Sequence, residues 1–179
     1  MTLEAKLEKI LELGAYKAAV IDVEKIPFDE GLRRFCEVNH CGHYGKNYSC
    51  PPHIGDVETV IAEAKSYQRA IIYQTVTEIE NSYDFEGMMA AAKKHSKVSK
   101  LIDAELQKDY SDYLMLTAGG CDVCKVCAVI DNEPCRFPEK AVSSVEAYCI
   151  DVSLLARDCG MKYVNGPNTV TYFGAFLFK

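Results

Sequence analysis

Nine cysteines in a chain of 179 residues constrain this sequence more than any other feature. Four of them follow the spacing Cys121-x2-Cys124-x2-Cys127-x7-Cys135. A four-iron cluster asks for one thiolate at each iron. Three cysteines at three-residue intervals let one tight loop reach three irons, and Cys135 supplies the fourth thiolate after the chain reverses. Gly119 and Gly120 just ahead of Cys121 suit a close approach of backbone amides to the sulfurs. Lys125 and Arg136 are placed to offset negative charge if they fold over the site. The alternative is structural zinc, which also takes four thiolates. Such sites usually come as two C-x2-C knuckles separated by a spacer, a pattern that three cysteines in quick succession fit poorly. The spacing favours a [4Fe–4S] cluster over zinc.

A second group, Cys36-x4-Cys41-x8-Cys50, lies in a stretch from Glu37 to Ile54 with no hydrophobic period, marked by Gly42, Gly45, Asn47, Pro51 and Pro52. A loop of that length is uncommon in a compact domain unless a ligand organises it. The Cys50-Pro51 pair resembles the ending of cluster-binding loops. Only three thiolates are present. His40, His43, His53, a water, a substrate or a cysteine from elsewhere remains open as the fourth ligand, and this group too is expected to hold metal. Seven thiolates are one short of two fully ligated cubes.

Cys149 and Cys159 read differently. With Val145, Val152 and Ala156 they fall at helical spacing on one apolar stripe, as small buried packing residues do. Disulfides are not expected for any of the nine. Met1 to Leu13 carries Glu4, Lys6, Glu8, Lys9 and Glu12 and lacks the basic start and apolar middle of a secretory signal. The chain is therefore expected in the cytoplasm, where thiols stay reduced. A net charge of -6 argues against a general nucleic-acid binder. No apolar run is long enough to span a membrane.

The remaining pattern describes one domain, residues 1–179, of α/β (or α+β) class: a mixed sheet flanked by helices and interrupted by cysteine loops at about 36–54 and 119–138. Leu3, Leu7, Ile10 and Leu11 mark an opening helix, and Ala18 to Val23 a buried strand. A short helix from Pro27 and Asp29 ends near Cys36. Asp56 caps a helix with Val57, Val60, Ile61 and Ala64 inward. Arg69 to Val76 is a strand. A long helix over 84–108 is expected to bury Phe85, Met88, Met89, Ala92, Leu101 and Ile102. Tyr113 to Thr117 is a strand running into the second cysteine group. Ser143 to Glu146 reads as a capping box opening a helix that stops at Gly160. Lys162 to Val164 and Thr169 to Phe178 read as a closing hairpin.

Two long motifs carry a resemblance. The first runs Cys36-Glu-Val-Asn-His-Cys41-Gly-His-Tyr44-Gly45-Lys46-Asn47-Tyr-Ser-Cys50-Pro51-Pro52. The second runs from Gly119-Gly120-Cys121 through Cys124, Cys127 and Pro134-Cys135-Arg136-Phe-Pro138 to Ser144-x-Glu146-Ala147-Tyr148-x-Ile150-Asp151-Val152. In both, the chain resembles the family of predicted metal-binding proteins that carries the domain-of-unknown-function label 2284. The resemblance implies metal binding by the seven grouped cysteines, with no reaction attached. It implies glycine where this chain has Cys149, and it does not include His40 or His43.

Three functions fit. The first is an electron-transfer or redox-accessory protein with a closed [4Fe–4S] cluster on Cys121, Cys124, Cys127 and Cys135. The second is a redox enzyme in which Cys36, Cys41 and Cys50 hold a cluster with one iron open to substrate, near Tyr44, Lys46 and Asn47. The third is a protein stapled by structural zinc. The expected partners are a redox protein or a small-molecule substrate. Lys93, Lys94, His95, Lys97 and Lys100 form a basic stretch, either a solvated face or a dock for an acidic redox partner. No phosphate-cradling glycine loop or serine-nucleophile motif is present. Cys121, Cys124 and Cys127 also depart from the three-cysteine spacing of radical S-adenosylmethionine enzymes, and Cys135 would close the site that such chemistry leaves open.

Overall fold

The computed structural model describes residues 1–179. Five strands and five α-helices alternate irregularly along the chain. Helix α1 (Leu3–Glu12) precedes β1 (Lys17–Asp22), and α2 (Arg33–Glu37) and α3 (Val57–Lys65) flank the first cysteine loop. Strand β2 (Arg69–Glu78) leads to the long α4 (Phe85–Leu106), and then β3 (Tyr113–Thr117) enters the second cysteine loop. The chain returns through β4 (Ser143–Ser144), α5 (Val152–Asp158) and the closing β5 (Thr169–Phe178).

The sheet order is β1-β2-β5-β3-β4, so the last strand is the central one. It pairs antiparallel with both β2 and β3, while β3 and β4 are parallel, making the sheet mixed. Side chains of a strand alternate between faces. Ile71, Tyr73, Met115, Phe176 and Phe178 pack with Ile10, Val98, Ile102 and Leu106 on one side. Ala70, Ile72, Leu116, Ala175 and Leu177 pack on the other side with Val60, Ile61, Val152 and Leu155. Burial on both faces explains why Ala70–Tyr73 reads as an unbroken apolar run. Gly174 faces Tyr73 across the strand pair. A Cβ there would stand 2.2 Å from the tyrosine ring, so only glycine admits it.

Helix α4 is rotated from the expected stripe. Ala91, His95, Val98, Ile102 and Leu106 are buried, whereas Phe85, Met89 and Leu101 are exposed. The reason is polar. His95 and Ser99 turn toward the sheet, where Thr75 Oγ1 lies 2.8 Å from His95 Nδ1 and Tyr73 donates to Ser99 at 2.7 Å. An apolar-only periodicity misses both. Burial holds His95 neutral, its pKa pushed down to about 4.

The closing hairpin does not form. Lys162–Val164 is not a strand, and β5 instead inserts between β2 and β3, far apart in sequence. The capping box is also only partly realised. Ser144 accepts from the Ala147 amide at 3.0 Å, but the turn it starts lasts only Glu146–Tyr148. Cys149 then adopts φ 57, a left-handed conformation that ends the turn. Asp151 restarts the chain as α5, accepting from the Ser153 and Leu154 amides. Cys149 and Cys159 are thus not on one helix, although Cys149 is fully buried and Cys159 packs against the same core. Burial pushes the Cys159 thiol up to about 11. The glycine that the resemblance implies at 149 fits a position at positive φ. No helix is long and apolar enough to cross a membrane.

Candidate metal centre

The two cysteine loops, apart in sequence, lie against each other at one end of the sheet. Asn47 Nδ2 donates to the Cys121 carbonyl at 3.1 Å, and the Cys121 amide donates to Ser49 Oγ at 3.0 Å. Ser49 in turn donates from both its amide and its hydroxyl to Asn47 Oδ1. Tyr48 adds a bond to the Glu133 carbonyl at 2.9 Å. Asn47 and Ser49 are both buried, so each of these bonds is costly to leave unmade. Asn47 is therefore the lace between the loops rather than a residue free to orient substrate. Gly120 completes the contact. A Cβ there would stand 3.4 Å from Cys50 Sγ and 3.6 Å from the His43 ring. Its place in the motif serves loop–loop packing, and the Cys121 amide is spent on Ser49 rather than free for a cluster sulfur.

Cys121, Cys124, Cys127 and Cys135, each half-buried, line one small cavity of about 20 Å³, walled by Val123, Ala128, Phe137 and Ala141. Arg136 closes over this loop, donating to the Val126 carbonyl at 3.1 Å and facing Asp131 at 3.8 Å. Its charge is thus kept on the loop and is partly spent on Asp131.

Cys36, Cys41 and Cys50 line a different space, a cleft of about 740 Å³ that opens to solvent. Phe35, Tyr44, Ile150, Val152, Tyr163 and Tyr172 give it an apolar and aromatic wall. His40 and His43 are on that wall, while His53 is not; its Nε2 lies 3.3 Å from the Gly45 carbonyl. Lys46 is exposed and off the cleft, so of the three orienting candidates only Tyr44 faces it. Burial pushes the Cys36 and Cys50 thiols up, opposed by Arg33 at Cys36 and by the Ser49 hydrogen bond at Cys50. Neighbouring thiols raise both further, Cys41 and Cys149 at Cys36 and Cys41, Cys36 and Cys121 at Cys50.

Arg33 is the residue that sequence reasoning missed. It is buried, donating to the Gly55 carbonyl at 2.8 Å and the Ala147 carbonyl at 3.3 Å. It brings positive charge to Cys36 and to Cys149 behind the cleft wall. The signal was available: Arg33 precedes Cys36 by three residues, one turn away on the same helix face. Glu146 is a second addition. Its side chain reaches solvent through the cleft yet has protein on most sides, and that desolvation raises its carboxyl pKa.

No three Cys, His, Asp or Glu side chains are grouped to hold a single metal ion. The donor chemistry nonetheless suits iron–sulfur ligation: four thiols around a cavity with apolar walls, and three more around an open one.

Fold and donor set define a cysteine-rich, metal-binding α/β protein. The chain belongs to the family described as predicted metal-binding protein, DUF2284, whose model matches residues 19–178. No curated protein matches the sequence. Among solved structures, the chain is similar to epoxyqueuosine reductase with an epoxyqueuosine-modified tRNA-Tyr stem loop. That likeness has 8% identity and a TM-score of 0.40, and it covers 97% of this chain. The chain spans 44% of that reductase chain, less than half its length.

Proposed function

We propose that this protein is an iron–sulfur redox enzyme with two unlike centres. Cys121, Cys124, Cys127 and Cys135 would hold a [4Fe–4S] cluster for electron transfer, and Cys36, Cys41 and Cys50 a second cluster facing a small-molecule substrate in the cleft. The first group would supply one-electron storage, and the second an iron without a protein thiolate, able to act as a Lewis acid. The observation that carries this reading is the pairing of an enclosed four-thiol cavity with an open three-thiol cleft on loops bonded to each other.

The protein's own residues have definite parts in it. Asn47 and Ser49 fix the spacing between the loops. Arg33 offsets negative charge beneath Cys36. Phe35, Tyr44, Tyr163 and Tyr172 provide apolar surface for a substrate and reduce water around it. The deciding experiment is a titration of anaerobically purified, reduced protein with cyanide, followed by electron paramagnetic resonance. One signal that shifts and one that does not supports the reading. Two unresponsive signals leave only electron transfer, and a colourless protein with stoichiometric zinc overturns it.

A further inference from the structure

We propose that the outer surface of the four-cysteine loop, together with the basic face of α4, is the dock for an acidic one-electron carrier protein. The inference rests on the redox reading above and adds the partner.

The basic residues of α4 are not spread along the helix. Lys93, Lys94, Lys97 and Lys100 fall within two turns and all are exposed. The carboxylates stand toward the ends, Glu86 in the first turn and Asp103 and Glu105 in the last two. Lys93, Lys94 and Lys97 make no ion pair. Lys100 instead reaches Asp122 at 2.8 Å, and Ser96 donates to the same carboxylate at 2.6 Å. Asp122 is the neighbour of Cys121. The cationic face is therefore fastened directly to the loop that carries four thiols.

That loop has an unusual exterior. Val126, Ile130 and Phe137 are 54%, 49% and 40% exposed on a short stretch of chain. Lys125, Arg136 and Lys140 lie among them, and Lys140 stands over the Phe137 ring at 5.5 Å. Lys140 and Lys100 also line one cavity, with Asp122 between the helix and the loop. The acidic residues here are Asp103, Asp122, Asp131, Glu133 and Glu139; Asp122 and Asp131 are already paired with Lys100 and Arg136. A surplus of cations gathers at this end of a chain whose net charge is -6.

Apolar side chains ringed by cations are the arrangement of a transient protein interface: long-range attraction orients the partner, and the apolar centre seats it. The chemistry selects a partner with an acidic face. It favours a protein over a nucleic acid because two of the three apolar residues at the centre are aliphatic and the one ring, Phe137, is already covered by Lys140, and because the chain is acidic overall. One electron passes from the reduced carrier to the centre held by the loop; the carrier is oxidised by one electron, and no bond is made or broken.

The test uses anaerobic holoprotein and a reduced acidic ferredoxin as the probe, with rates followed by stopped-flow absorbance. Reduced methyl viologen, a small cationic reductant, is the control. Reduction by ferredoxin should slow at least tenfold between about 0.05 and 0.5 M salt, over which the screening length shortens severalfold. The triple variant Lys93→Glu, Lys94→Glu, Lys97→Glu should slow it at least tenfold at low salt. The same lysines changed to arginine should restore it, and Ile130→Ser should weaken binding without abolishing the salt dependence. Iron content and the methyl viologen rate should stay unchanged throughout. Ferredoxin rates indifferent to salt and to charge reversal overturn the dock. So does a triple variant that loses affinity for a tRNA stem loop while keeping its ferredoxin rate, which would make the face an RNA surface. Failure of methyl viologen to reduce even the parent protein sinks the redox reading instead, and the two failures are told apart by that control.

Discussion

The two cysteine groups share a ligand type and a location but differ in enclosure. The four-cysteine group lines a cavity of about 20 Å³ on a loop that Arg136 ties across, with one thiol for each iron that a cube would bring. The three-cysteine group lines a cleft of about 740 Å³ with one thiol fewer and with aromatic side chains on its wall. A cube with a protein thiolate on every iron has no open position and is left to gain and lose electrons. A centre lacking one thiolate beside an open cleft can also bind something. The difference teaches that cysteine count alone does not sort these roles; enclosure does.

The largest effect that can break this contrast is loss of a ligand. Cys135→Ser should remove the iron of the closed cavity, about four atoms per chain, and leave the cleft centre in place. Cys41→Ser should do the reverse, both read as iron and sulfide per chain after anaerobic purification. If either variant loses all iron, the two centres are not separable units.

A second test contrasts both loops with the sheet beneath them. His95 faces the sheet from α4, stacked on Tyr73 and tilted against Tyr172, with its pKa pushed down to about 4 in the fold. The unfolded chain has a histidine pKa of about 6.5. Between those values the unfolded state binds a proton that the native state does not. Stability is therefore full above about pH 6.5 and falls as pH drops through the window, by up to about 3 kcal/mol. Denaturant midpoints of the parent and of His95→Leu across pH 4 to 7 isolate this slope, which the variant should lack while keeping its iron.

Asn47→Leu addresses the seam. It removes the bond to the Cys121 carbonyl and leaves Ser49 without its acceptor, at a cost of about 2 kcal/mol. Unlike either cysteine variant, it should loosen iron at both centres, measured as the rate of iron loss to a chelator. Arg33→Met should act on one side only. It leaves the Gly55 and Ala147 carbonyls without their donor and removes positive charge from Cys36, slightly speeding iron loss from the cleft centre alone.

Much of this architecture is legible in the sequence, and the failures have common causes. Asp56 caps its helix as a short polar side chain does, and β1, β2 and β3 follow from apolar runs. The buried face of α4 is not legible from hydrophobicity because His95 and Ser99 are bonded to partners on β2, some twenty residues away. The fate of Thr169–Phe178 depends on long-range pairing with β2 and β3, which no local turn signal records. The helix expected after Ser144 is broken by the left-handed Cys149, a residue whose side chain gives no warning of that backbone. The seven grouped cysteines were identifiable by spacing. Their division into an enclosed and an open space was not, because it depends on which walls the rest of the chain supplies.

The central claim is that the two groups hold two iron–sulfur centres rather than one centre or a zinc ion. Iron, acid-labile sulfide and zinc content of protein purified without oxygen tests it most directly. Two cubes predict about eight irons with matching sulfide per chain, or slightly fewer if the open corner is lost. Stoichiometric zinc with neither iron nor sulfide would contradict the account.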